Sequence, residues 1–303
     1  MIKLAEDFLC GSYPPLITPF RDGRIDVDAF ARLVERQITH GTHGLVINGT
    51  TSEPTTLTMD ERNLMVKTAI EVTRGRIPVV AQTGSQSHAE TVDLTEYANK
   101  AGADAIMVLT PYFIRAPQRG VAAFFEDIGR RTDKPLLMYH IPGRSAFKVE
   151  LETLQRIADA LPHFVGIKHA ADDHNFVTRM LSTLGRDFRV FVGLEEFTFS
   201  MMALGAQGTM NAVANVAPRE VAEMCNAVRA GDLKTARELH YRLFDLMCAV
   251  FYDTNPIAMK YMMKRLGLIA ANEHRLPMVP ATPELERRLD GVLERAGLLG
   301  AKA

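Results

Sequence analysis

Reactive side chains gather at the ends of short apolar runs. The segment Phe164-Val165-Gly166-Ile167-Lys168 is apolar until its last residue. Strand side chains alternate between faces, so Lys168 shares a face with Phe164 and Gly166, and Val165 and Ile167 share the other. With the bulky pair turned toward a helix layer, the amine points into the mouth of the sheet. Desolvation there lowers a lysine's pKa from its ordinary value of about 10.4. A neutral amine attacks a ketone and forms a Schiff base. The alternative for a lysine at a strand end is an aliphatic stem with its ammonium snorkelling to solvent.

Three further strand ends carry complementary chemistry. In Leu136-Leu137-Met138-Tyr139-His140, Tyr139 falls on the face of Leu137, one strand from Lys168. A phenol beside the amine can pass protons to a developing carbinolamine, although tyrosine is also a common core-edge residue. The run Asn48-Gly49-Thr50-Thr51-Ser52-Glu53 offers hydroxyls and free backbone N–H groups suited to a carboxylate; it also reads as an ordinary turn before a helix. Gly143-Arg144-Ser145 presents a planar guanidinium fork for a second carboxylate, or simply a surface arginine. His140 and His169 end adjacent strands and raise the prospect of a metal-dependent aldolase. Alternation turns both away from the face of Tyr139 and Lys168, and packs them between strands and helices.

These ends need a scaffold that brings them together. Apolar runs at about 13–17, 44–48, 77–82, 104–109, 135–140, 164–168, 188–193 and 206–211 predict eight strands. The segments "HGTHGLVI", "AGADAIMV" and "LGAQGTMN" share one pattern, a helix end, a glycine (Gly41, Gly102, Gly205) and an apolar strand. Helical spacing of Val27, Phe30, Leu33 and Val34 predicts a helix over 26–40. Leu64, Met65, Ala69 and Val72 predict another over 59–74, opened by a Thr58–Glu61 capping box. Strands alternating with helices imply a parallel sheet, and eight such units imply closure into a (β/α)8 TIM barrel. An open doubly wound sheet would want a glycine-rich phosphate loop after its first strand, and "ITPFRDGRID" is not one. Beyond residue 230 only helices are expected, at 232–250, 256–266 and 283–297. The division is a barrel over 1–230 and a C-terminal helical extension over 231–303.

Bulk properties narrow the function classes. The 303 residues are 47% hydrophobic and 23% charged, with a net charge of −1, so nothing draws nucleic acid or an anionic membrane. No apolar run approaches the roughly 18 residues of a membrane span. Cys10, Cys225 and Cys248 are odd in number and lack metal-ligand spacing. They read as reduced thiols of a cytoplasmic protein.

The motifs "GTTSEPTTLT" (49–58), "TPYF" (110–113), "YHIPGR" (139–144) and "GIKHA" (166–170) resemble the dihydrodipicolinate synthase/N-acetylneuraminate lyase family over about residues 11–300, in order and in spacing. The resemblance implies a Schiff-base class I aldolase acting on pyruvate or a related 2-oxo acid, with no cofactor or metal beyond the covalent imine. It implies a homotetramer built as a dimer of dimers. Lys168 resembles the Schiff-base lysine, Tyr139 the proton-shuttling tyrosine and Thr50 the hydroxyl that relays protons to it. Thr51 resembles the residue that holds the pyruvate carboxylate. Arg144 resembles the arginine that binds the second substrate's carboxylate in the synthase branch, a residue that sialic acid lyases usually lack. Gly193 and Met210 match pocket-lining positions.

Departures from the family pattern bear on the exact reaction. Phe113 stands where the synthase has a tyrosine that reaches the neighbouring subunit's substrate site and completes a Thr–Tyr–Tyr relay. Ser52 replaces a glycine, and His140 an asparagine. Pro54, Met59 and Gln86 stand where lysine-regulated enzymes have small polar, His and Asn residues. These differences point away from housekeeping lysine biosynthesis and are compatible with a paralogue acting in the catabolism of some 2-oxo acid. A 2-keto-3-deoxy sugar-acid aldolase or dehydratase and a non-catalytic 2-oxo acid sensor are the competing readings.

Overall fold

The computed structural model of the protein describes residues 1–299; positions 300–303 of the expected extension lie outside the described residues. Eight strands form one sheet: β1 (Gly11–Ser12), β2 (Leu45–Ile47), β3 (Val79–Gln82), β4 (Ala105–Leu109), β5 (Leu136–His140), β6 (Phe164–His169), β7 (Arg189–Val192) and β8 (Gly208–Thr209). Their spatial order is β1-β8-β7-β6-β5-β4-β3-β2, and all neighbours are parallel. Phe20–Arg21 and Arg24–Ile25 form a separate short hairpin.

The predicted first strand, 13–17, is interrupted. Pro14 and Pro15 have no N–H to donate, so the regular ladder stops at Ser12. The chain beyond it still reaches β2: the Val46 N–H donates to Pro14 O (3.0 Å) and the Leu16 N–H to Val46 O (3.2 Å), with a single bridge at Pro15–Val46.

Helices connect the strands as the apolar periodicity predicts. The first, Val27–Thr39, is capped by Asp26, which accepts from the Ala29 N–H. The second, Met59–Thr73, carries the complete Thr58–Glu61 capping box. Its inward face differs from the expected one by a small rotation. Leu64 is exposed, whereas Arg62 is buried and donates from Nη2 to the Gln82 and Gly84 carbonyls. The three glycines of the repeated pattern, Gly41, Gly102 and Gly205, have φ of 79°, 94° and 114°, the region where a Cβ is penalised.

Apolar residues form two cores separated by the sheet. Tyr13, Val46, Val80, Met107, Leu137, Phe191 and Met210 pack on its inner side. Leu45, Val79, Ile106, Leu136, Ile167 and Val190 face the helices. A register shift in β6 breaks the simple alternation. Leu136 pairs with Phe164, but Leu137 pairs with Gly166, so Val165 is an extra residue. Phe164 therefore lies in the outer core and Val165 in the inner one, contrary to the expected faces, while Lys168 faces inward as expected.

Three helices follow Pro218–Arg229: Leu233–Ala249, Ile257–Arg265 and Pro283–Arg295. Leu233–Ala249 packs on Pro218–Arg229, and every residue from Ile257 to Met263 is buried. Among the described residues no helix is long and apolar enough to cross a membrane.

Candidate functional site

Lys168 and Tyr139 meet because β5 and β6 pair them directly, Tyr139 opposite Lys168. Both side chains are 2% exposed, and the Lys168 Nζ stands 4.3 Å from the centroid of the Tyr139 ring. The Tyr139 hydroxyl is 3.1 Å from Thr50 Oγ1, where either oxygen can donate. An amine, a phenol and a secondary alcohol thus form a chain running from the inner face of the sheet to the loop after β2.

That loop is fixed from several sides. Thr50–Ser52 is a single 3-10 turn ending at Glu53, whose φ of 56° is left-handed. Ser52 Oγ donates to Leu16 O, and Thr18 Oγ1 donates to Ser52 O, so the serine at the position of the expected glycine fastens the turn to the segment after β1. Thr51 Oγ1 accepts from Asn255 Nδ2 at 2.9 Å, which leaves its own O–H available as a donor. Arg144 sits on the four-residue turn Pro142–Ser145 and donates from Nη2 to Asn255 O at 3.2 Å.

Lys168, Tyr139, Thr50, Thr51, Arg144 and Asn255 line a cavity of about 30 Å³ together with Gly193, Glu195 and Met210. Gly193 has a steric reason to be glycine: a Cβ there would lie 3.1 Å from Lys168 Cε and 2.8 Å from Ala170 Cβ. Beyond Thr50, Ile141 and Arg144 the cavity adjoins a cleft of about 740 Å³, one wall of which is Tyr112. Of the eight sequence-derived positions, seven line the small cavity. Phe113 does not: it is 85% exposed, with φ of 74°, beside the also exposed and apolar Ile114.

Two polar cavity residues, Asn255 and Glu195, have no counterpart in the sequence reading. Asn255 contacts Thr51 and Arg144 from the start of the Ile257–Arg265 helix, a contact spanning 204 positions that no local pattern announces. Glu195 follows β7, and the acidic pair Glu195-Glu196 at a strand end was a usable signal. Its carboxylate accepts from the Ala212 N–H (2.6 Å) and the Val213 N–H (3.3 Å). Burial pushes its pKa up to about 8 against those two hydrogen bonds and the nearby Lys168 charge.

His140 and His169 occupy the opposite face, as expected. Their rings stack at 5.2 Å with Nδ1 atoms 3.1 Å apart, Phe176 lies against both, and the Val149 N–H donates to His140 Nε2. Burial, reinforced by the neighbouring His169, pushes His140 down to about 3, and burial pushes His169 down to about 4. An unfolded chain binds these protons near pH 6.5, whereas the folded protein resists them. Stability is therefore intact above about pH 6.5 and falls as pH drops toward 4, by on the order of 3–5 kcal/mol for the pair at pH 4.5. Urea midpoints at pH 7.5 and 4.5 should show this loss in the wild type and roughly half of it in His140→Asn. An equal loss in both proteins would refute the assignment.

Known proteins share the fold and much of the sequence. The sequence profile of the Dihydrodipicolinate synthetase family matches residues 9–296. The chain belongs to this family. A 4-hydroxy-tetrahydrodipicolinate synthase of Thermus thermophilus is 44% identical over 290 residues, covering 95% of this chain and 97% of that protein. The crystal structure of dihydrodipicolinate synthase from Aquifex aeolicus matches with a TM-score of 0.93 at 36% identity, covering 95% of this chain and 98% of that one. The chloride-inhibited dihydrodipicolinate synthase of Acinetobacter baumannii, crystallised with pyruvate, gives a TM-score of 0.93 at 34% identity over 96% of this chain and 100% of that one. Membership in the dihydrodipicolinate synthetase family thus rests on nearly the whole chain, the parallel sheet and the C-terminal helices alike.

Proposed function

We propose that the protein is a Schiff-base lyase of the 4-hydroxy-tetrahydrodipicolinate synthase type, using pyruvate or a related 2-oxo acid and an aldehyde partner. The observation that carries this reading is the buried Lys168 amine stacked over Tyr139, whose hydroxyl contacts Thr50. Lys168 Nζ attacks C2 of the oxo acid, and the carbonyl oxygen takes a proton through Tyr139. That proton comes from the attacking nitrogen; the carbinolamine then loses water as Tyr139, hydrogen-bonded to Thr50, donates its own proton to the departing hydroxyl and is left as a phenolate. The resulting iminium withdraws electrons from C3, the Tyr139 phenolate takes a C3 proton, and the enamine so formed adds to the aldehyde carbon, whose oxygen receives that proton back from Tyr139. Throughout, the Thr51 hydroxyl donates to the C1 carboxylate, and Arg144 binds a carboxylate on the partner. Gly193 leaves room beside the lysine for the imine carbon, and Met210 closes the apolar wall. The imine itself polarises the substrate, so the mechanism uses no cofactor.

The same reading extends to architecture. The Val46–Pro14 and Leu16–Val46 bonds support closure of the eight strands into a (β/α)8 barrel over residues 1–230, with 231–303 as a C-terminal extension. The exposed Phe113-Ile114 tip supports association with a second copy in a homotetramer.

Borohydride added with pyruvate is expected to inactivate the protein and leave a reduced three-carbon adduct on Lys168, located by peptide mass. Absence of an adduct with pyruvate and with longer 2-oxo acids would remove the basis of the proposal. Phe113 bears on the rate of condensation, because a phenyl ring cannot pass a proton. Phe113→Tyr is expected to raise condensation with aspartate semialdehyde about tenfold, and an unchanged rate would show that the missing hydroxyl is not what limits it.

A further inference from the structure

A second cluster of ionisable groups lies directly behind the Thr50–Thr51 turn, outside the cavity. Glu53 ends that turn, and its side chain is 1% exposed. Lys260, 0% exposed, donates from Nζ to Glu53 Oε1 at 2.6 Å and to the Glu273 carbonyl at 2.6 Å. The His274 side chain, also 0% exposed, places Nδ1 3.2 Å from Glu53 Oε2. The Lys260 ammonium stands 4.3 Å from the centroid of the Phe20 ring. Burial holds Lys260 below its ordinary pKa in spite of the adjoining carboxylate.

Burying a carboxylate and an ammonium is costly, and apolar residues of similar size often stabilise a core equally well or better. What this cluster supplies is directional. Glu53 is a non-glycine residue in left-handed conformation, a backbone state that persists only where surroundings enforce it. Both carboxylate oxygens are tied to segments more than 200 positions away, one on the helix Ile257–Arg265 and one on the stretch after it. The Glu53 N–H closes the turn by donating to Thr50 O at 3.2 Å. Asn255, on the same C-terminal segment, holds Thr51 through its hydroxyl. Thr50 is therefore anchored by its own backbone to Glu53, and its side chain faces Tyr139.

We propose that Glu53, Lys260 and His274 form a positioning cluster through which the C-terminal helices set the place of the Thr50 hydroxyl beside Tyr139. The inference rests on the Schiff-base reading and adds residues that touch neither the oxo acid nor the amine.

A double-mutant cycle in the full-length protein tests it. The readout is the rate of borohydride-trappable adduct formation at saturating pyruvate in wild type, Glu53→Gln, Thr50→Val and the double variant. Thermal unfolding of each is recorded so that all are assayed folded. If Glu53 acts through Thr50, Glu53→Gln slows adduct formation about tenfold in the wild-type background and less than about twofold when Thr50 is already valine. A merely structural cluster would lower the unfolding temperature and leave the rate of the folded protein unchanged, or slow both backgrounds by the same factor. Either outcome overturns the proposal. Should Glu53→Gln fail to fold, His274→Gln leaves the Lys260–Glu53 pair in place and runs through the same cycle, with about threefold and no further slowing as the expected pair of values. Adduct formation by the wild type tests the Schiff-base reading separately, so failure of the cycle alone leaves that reading intact.

Discussion

Lys168→Ala is expected to abolish pyruvate-dependent borohydride trapping and to lower kcat/KM by about 10⁴ or more, since among the described residues no other amine lines the cavity to take the nucleophile's place. The size follows from what is lost: without the covalent imine there is no electron sink for C3, and about 5 kcal/mol of barrier returns for each 10⁴ in rate. The alanine variant also opens space beside Gly193, so a packing defect could contribute to its loss. Lys168→Arg separates the two effects. It keeps a cation and most of the volume, yet guanidinium stays protonated and does not attack a ketone. Both variants should therefore be inactive while remaining folded. Activity in the arginine variant above about a tenth of wild type would show that charge, rather than nucleophilicity, is what the site takes from residue 168.

The inward direction of Lys168 was legible from the sequence, although part of the reasoning behind it did not survive. Strict alternation placed Phe164 on the lysine's face, but the register shift at Val165 moves Phe164 outward and leaves Gly166 and Lys168 inside. A bulge depends on the neighbouring strand's register, which an isolated apolar run does not encode. Glycine at 166 is a clue to crowding on that side, since an added Cβ would collide with the Arg189 backbone. Helix ends were well encoded, because caps such as Asp26 and the Thr58–Glu61 box act within four residues. The first strand was poorly encoded because its apolar run contains two prolines, and only the partner strand shows which carbonyls still accept.

The site shows the same division between local and long-range information. Lys168, Tyr139, Thr50 and Thr51 lie at strand ends, where a β/α architecture gathers side chains by topology alone. Asn255, Lys260 and His274 reach the same loop from the C-terminal helices, and their sequence context is that of ordinary helix starts and turns. Nothing in "DTNPIAMKYMMKR" distinguishes Lys260 from a surface lysine; helical periodicity would even tolerate it there as a snorkelling side chain. Its complete burial appears only once Glu53 is brought alongside.

Tyr139→Phe carries the second large expectation, because Tyr139 touches both ends of the site: its ring lies under the Lys168 amine and its hydroxyl contacts Thr50. Proton transfer by a positioned side chain contributes about 10²–10⁴ in rate. The phenyl ring keeps the contact with Lys168 Nζ, so substrate pocket and fold should persist and the defect should fall on kcat, by about 10²–10³. The adduct with pyruvate should still accumulate, but slowly, since water can replace part of the relay. Thr50→Val removes the outer member only and should cost less, about tenfold to a hundredfold. Combining the two should cost little more than Tyr139→Phe alone, for once the phenol is gone the threonine has nothing to relay to. Stopped-time trapping at saturating pyruvate measures all three. A Tyr139→Phe protein that forms adduct within about threefold of the wild-type rate would move the proton transfer elsewhere, and Glu195, which lines the same cavity and whose pKa burial pushes up to about 8, would be the group to test next.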